Sequence, residues 1–163
     1  MDKPTTVNTS ATTTVGIDLG DRHSHYCVVA SNGDFLEEGK LATSEAGFQH
    51  RFARMAGARI VLEVGTHSPW VSRLLQKMGH ETIVVDPRRV ELISRSDKKT
   101  DRHDASTLAL LGRLDPNFEL LKTVTHRTEE MQTDLSMVRS RDTLVRARTE
   151  LINSVRGIVK SWL

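Results

Sequence analysis

Cysteine is nearly missing. Cys27 is the single one in 163 residues, so the chain cannot close a disulfide within itself or build a cysteine metal site. Its setting in the apolar run SHYCVVA makes it a core residue. Four prolines and ten glycines exclude collagen-like and Pro/Gly-rich disordered classes. No apolar run approaches the roughly 20 residues of a membrane span. The opening MDKPTTVNTSATTTVG is polar and Thr-rich, without the apolar centre of a secretory signal, so residues 1–12 read as a flexible tail and the chain as cytoplasmic. What is present is ordinary for a soluble protein, 37% hydrophobic and 27% charged, at a length that suits one domain plus an appendage.

An excess of one charge is also absent, since 23 basic and 21 acidic side chains leave a net of +2. That alone announces no polyanionic partner. The distribution is uneven, however. Residues 122–163 hold 8 basic and 5 acidic side chains, so the positive excess is C-terminal.

Val15–Leu19 and Ser24–Ala30 read as strands, and Ser-Asn-Gly-Asp at 31–34 supplies a tight hairpin turn into an alternating segment over 35–41. Phe48, Phe52 and Met55 recur at helical spacing over 44–56, with Ser44 an imperfect cap. Arg59–Val64 is apolar at both parities, as a strand buried on both faces should be. Ser68-Pro69 opens a helix over 68–78 with Ser68 as N-cap, and Thr82–Val85 is a further buried strand. A short helical piece over 88–94 and a polar loop over 94–100 precede a helix from Asp101 to Arg113. From Arg127 onward no proline interrupts a long amphipathic helix whose length points to partner or self-association. The order β-β-β-α-β-α-β-α is that of an α/β, ribonuclease H-like mixed five-stranded sheet flanked by helices, followed by a long C-terminal helix.

Ligands in such sheets gather at the carboxyl ends of parallel strands. Asp18 in VGIDLG and Glu63 in VLEVG stand at two such ends, each embedded in apolar sequence. Acids are seldom buried there unless paired or metal-bound, with turn capping for Asp18 and a core arginine for Glu63 the plain alternatives. Asp101 and Asp104 share one helix face at i, i+3, although first-turn acids also simply favour the helix dipole, with Thr100 as cap. Four convergent carboxylates repel one another unless a divalent cation neutralises them, and hard oxygen ligands select Mg²⁺, with Mn²⁺ as substitute. Such ions activate the attacking oxygen and stabilise the leaving one at a phosphodiester. Lys98, Lys99 and Arg102 beside the acids, and Thr66 and His67 after Glu63, are the candidate nucleic-acid contacts. A helix cap is the stronger role for Thr66 and Ser68, and His23, His25 and His103 read as structural or surface residues.

GIDLGDRHSHYCVV, VLEVGTHSPW and KKTDRHDA together resemble the three signature segments of the RuvC-like domain of the DEDD insertion-sequence transposases, the bridge-RNA-guided recombinases related to pilin-gene-inverting proteins. The resemblance covers residues 13–121 as a RuvC-like catalytic domain and makes 122–163 the start of a coiled-coil segment. It implies that Asp18, Glu63, Asp101 and Asp104 bind Mg²⁺ and act in DNA cleavage and exchange, probing DNA with a guide RNA, and that the long helix serves dimerisation and RNA contact. Members of that group carry a further C-terminal domain with a nucleophilic serine, which these residues do not include. The chain alone is therefore expected to bind metal and nucleic acid without completing recombination. Three rivals share parts of the pattern. They are an actin-like or sugar-kinase ATPase, a RuvC-class Holliday-junction resolvase, and a non-catalytic nucleic-acid-binding and dimerisation module.

Overall fold

The computed structural model describes residues 13–86, 88, 101–117 and 119–162, with the side chains of 101–103 excepted. The expected tail, the helical piece beyond Arg88 and the polar loop holding Lys98 and Lys99 lie outside those residues, as does the Thr100 cap. The chain divides after Thr125 into an α/β unit and a helical unit.

Five strands form one sheet: β1 (Thr13–Asp18), β2 (His23–Ala30), β3 (Phe35–Ala42), β4 (Arg59–Glu63) and β5 (Glu81–Val85). Their order is β3-β2-β1-β4-β5. The first three make an antiparallel meander, and β4 and β5 join β1 in parallel. Asn32-Gly33 closes the β2–β3 hairpin, with Gly33 at φ +98°, a conformation that glycine adopts without strain. At the edge, β3 is almost wholly exposed, with Leu41 its buried residue, so the expected alternation of 35–41 does not mark a half-buried strand.

Strand alternation sorts the core into two layers. Val15 and Ile17 of β1, Tyr26 and Val28 of β2, and Ile60 and Leu62 of β4 pack on one face with α1 (Glu45–Phe52) and α2 (Ser68–Lys77). Cys27, Val29 and Val61 point to the other face, where α3 (Asp101–Leu114) covers them with Ala105, Leu108 and Ala109. Helix α1 starts as expected, Ser44 Oγ accepting the Gly47 N–H at 3.2 Å, but ends at Phe52. Met55 lies beyond it and packs against the core from a turn.

Ser68 does not cap α2. It is the first helical residue, and its hydroxyl accepts from the Gly65 N–H (2.9 Å) and donates to the Gly65 carbonyl (2.8 Å). The cap position falls to His67, whose side chain makes no cap bond, and Thr66 does not take that position either. The hydroxyl chosen as a cap instead closes the loop that follows Glu63.

After α3 the chain is fixed by buried polar groups. Asp115 accepts the backbone N–H groups of Glu119, Leu120 and Leu121 at 2.8–3.0 Å, which satisfies a carboxylate only 7% exposed. Arg59 makes a two-pronged ion pair with Glu81 (2.8 and 3.1 Å) and donates to the Pro116 carbonyl. Thr123 then bridges to Val85, bringing the 122–124 segment alongside the free edge of β5.

In the second unit α4 spans Glu129–Ser161, 33 residues. Thr128 caps it through the Met131 N–H at 3.2 Å, and Glu129 and Glu130 in the first turn suit the positive dipole end. The described helices include none long and apolar enough to cross a membrane.

Candidate functional site

The parallel register pairs Ile17 with Leu62, so Asp18 and Glu63, one residue further along, end adjacent strands side by side. Both share strand parity with Gly16 and Val61, the residues that meet α3, so they belong to the α3 face. Each is half-buried.

The seat of α3 is unusually close. A Cβ on Gly16 would stand 2.0 Å from the Ala105 carbonyl oxygen and 2.4 Å from the Ala109 nitrogen, so two backbones touch there and only glycine fits. One on Gly112 would lie 2.3 Å from Val61 Cγ2 and 3.4 Å from Thr14 Cγ2. The helix therefore runs from Gly16 back towards Thr14 as its numbering rises, opposite to β1. Its N-terminal turn, with Asp101 and the half-buried Asp104, lies at the end of the sheet where Asp18 and Glu63 stand.

The loops beyond these acids are pinned. After Asp18, the Thr43 hydroxyl donates to the Gly20 carbonyl (2.7 Å) and shares a hydrogen bond with Ser24 Oγ (2.8 Å). After Glu63, the Ser68–Gly65 pair fixes the turn. His67 joins the two loops. An indole nitrogen only donates, so Trp70 Nε1 at 3.2 Å makes His67 Nδ1 the acceptor and leaves the proton on Nε2, which donates to Asp21 Oδ1 at 3.2 Å. Both ring nitrogens are thus engaged, and Trp70 itself packs edge-on against Phe48.

Asp18, Glu63 and Asp104 are therefore brought to one end of one face, whereas Thr66 is exposed beside them and His67 is turned towards Asp21. The side chains of Asp101, Arg102 and His103, like Lys98 and Lys99, lie outside the described residues. Among the described residues no three His, Cys, Asp or Glu side chains form a metal-holding group. At the other end of β4, Arg59 pairs with Glu81.

His25, read from the sequence as a structural residue, stands close to these acids. The β1–β2 register sets it directly opposite Asp18, and it shares the α3 face with Cys27. Counting residues across the short turn from Asp18 would have placed it there. Asp21 and Trp70 were likewise not connected to His67, because that link depends on how two loops meet. Behind the acids, burial pushes the Cys27 thiol up to about 11, with Glu38 adding to the effect.

The sheet order, an antiparallel meander continued by two parallel strands with helices on both faces, is that of the RuvC-like ribonuclease H fold. The chain superposes on the structure of Thermus thermophilus RuvC with a TM-score of 0.50 at 15% identity, covering 69% of this chain and 99% of that one. The DEDD transposase family of IS110 matches residues 15–162, and the chain belongs to that family. It is 27% identical over 150 residues to the transposase for insertion sequence element IS1111A of Coxiella burnetii, covering 91% of this chain and 39% of the relative. It is 30% identical over 154 residues to a protein of Pseudomonas aeruginosa described as a "Probable family 20 transposase", covering 89% and 41%. The chain thus spans about two fifths of the length of these curated relatives.

Proposed function

We propose that this RuvC-like transposase domain acts on DNA phosphodiesters with a divalent metal during insertion-sequence transposition, guided by RNA. Asp18, Glu63, Asp101 and Asp104 would hold Mg²⁺, for which an all-carboxylate donor set is chemically suited and a zinc site is not. When bound, the ion supplies Lewis-acid stabilisation of charge on the phosphate oxygens. The residues themselves orient. β1 and β4 present Asp18 and Glu63 from rigid strand ends, and the Gly16 seat fixes the height of Asp104 above the sheet.

Thr66, Lys98, Lys99 and Arg102 contact the nucleic-acid backbone, and His67 contributes by tying the Asp18 loop to the Glu63 loop. The long helix associates with a second copy and offers its arginines to RNA.

The observation that supports this reading most directly is the backbone-to-backbone seat of α3, which delivers the Asp104 turn to the Asp18–Glu63 end of the sheet. Thermal melting with and without Mg²⁺ tests it. Mg²⁺ should raise the melting temperature of the native chain. Asp104→Asn should melt higher than native in metal-free buffer, through relief of repulsion, and lose the Mg²⁺ response. A helix-cap role predicts instead a loss of about 1 kcal/mol and an unchanged response. No Mg²⁺-linked shift in the native chain overturns the metal reading.

A further inference from the structure

Asp18 and Glu63 are the middle of a longer row. Lys40 on β3 lies opposite His25, and His25 lies opposite Asp18, so Lys40, His25, Asp18 and Glu63 stand level across four adjacent strands. Residues directly opposed on neighbouring strands share a face, which puts Lys40 on the α3 face with the acids. The next residues of β3 fix that parity from behind. Glu37 accepts from the Tyr26 hydroxyl (2.6 Å) and from Arg51 of α1 (2.7 Å) on the other face, and a Cβ on Gly39 would strike the Tyr26 hydroxyl there.

The two sides of the row differ. Beyond Glu63 the face is filled, with Ile83 and Val85 of β5 packed together with Leu108 and Leu121. Beyond Asp18 it opens. Ala105 and Ala109 of α3 cover Cys27 and Val29, but His25 is only half-buried, and Glu38 and Lys40 are exposed. His23, exposed and level with Ala42, continues the same face one pair further out. The result is an uncovered shelf of β2 and β3 beside the acids. Its acid, Glu38, stands opposite Cys27, one pair further back from the strand ends than Lys40.

A phosphodiester seated over Asp18 and Glu63 belongs to a strand that carries a negative charge at every nucleotide and has to leave across one side or the other. The filled side offers it apolar packing, and the shelf offers it donors. Lys40 stands two strand spacings from Asp18, about 10 Å, and its flexible stem lets the ammonium meet a phosphate close to the one over the acids. The imidazole of His23 supplies an N–H without needing to be charged.

We propose that the DNA strand cut at the acids runs outward over the β2–β3 shelf, with Lys40 holding a phosphate near the scissile one and His23 donating beside it. This rests on the DNA-cleaving reading above and adds the path of the strand. The test is fluorescence anisotropy of the full 163-residue chain with a fluorescein-labelled single-stranded DNA of mixed sequence, in Mg²⁺ buffer over a series of salt concentrations. Lys40→Ala should weaken binding about tenfold. It should also lower the salt slope by about 0.7, the share of one phosphate contact on a single strand, and Lys40→Arg should restore that slope. Glu38→Gln should tighten binding about twofold. Lys77→Ala removes the same charge from the last turn of α2, on the other face, and should change neither affinity nor slope.

Equal losses in Lys40→Ala and Lys77→Ala overturn the path. A loss with RNA of the same sequence and none with DNA overturns it as well, because the strand on the shelf is then not the one that is cut. If Lys40→Ala keeps both the native salt slope and the native Mg²⁺-linked melting shift, the path falls and the metal reading stands. A native chain that binds no DNA overturns both.

Discussion

The α/β unit and α4 use the same amino acids to opposite effect. In the first, Val15, Ile17, Ile60 and Leu62 are fully buried, and both faces of β1 and β4 are covered. In the second, Val145, Leu151 and Ile158 recur with equal regularity and stay in water. Glycine marks the contrast best. At Gly16 a methyl group would collide with two backbones, while at Gly157 it would meet nothing within 4 Å. One region is specified by its own packing, and the other keeps its apolar side chains exposed. Periodicity reveals an apolar face in both, but only the fold says whether that face is already covered.

The same substitution at those two glycines should break the comparison most visibly. Gly16→Ala should cost about 3 kcal/mol in urea unfolding, because backbone cannot yield as a flexible side chain can. Gly157→Ala should gain about 1 kcal/mol of helix stability, read as higher helicity on heating.

Next in size is the alkaline limit of the α/β unit. Cys27 titrates near 9.0 when unfolded and near 11 in the fold, so below pH 9 both states hold the proton and nothing changes. As the pH rises from 9 to 11 the unfolded chain ionises first, and stability should fall by about 2 kcal/mol. Burial and the Glu37 carboxylate raise the Tyr26 pKa as well, which continues the loss above pH 10. Cys27→Ala should flatten the first part of that decline, and a slope unchanged in the variant would assign it to another group. The helical signal of α4 should ignore this range.

The smallest contrast lies in the caps. Ser44→Ala and Thr128→Ala each remove one hydrogen bond worth about 1 kcal/mol. The first should lower the midpoint of the cooperative melt. The second should only fray α4 at its start, seen as lost amide protection near Met131 with the main transition unmoved.

Most of the architecture was legible in the sequence because strands and helices alternate with clear punctuation. Asn32-Gly33, the apolar run 59–63 and the proline-free stretch after Arg127 each carry an unambiguous signal. Ser68 misled because residue type and a following proline describe a cap equally well whether the hydroxyl turns to the helix or back to Gly65. The acids at Asp18 and Glu63 stood out as polar residues in apolar surroundings at strand ends, while their common face follows from the β1–β4 register. The opposition of His25 to Asp18, and the His67 link to Asp21 and Trp70, depend on register and on the meeting of loops. No local pattern records either.

The contact between Gly16 and α3 also sets what variation the chain can accept. A helix resting on another backbone has no side chain between them to be lengthened in one and shortened in the other, so compensating pairs of mutations are unavailable. A library randomised through both segments should return glycine at 16 and the smallest residues at 105, 109 and 112. The narrowest part of sequence space would then lie one helical turn away from the acids themselves.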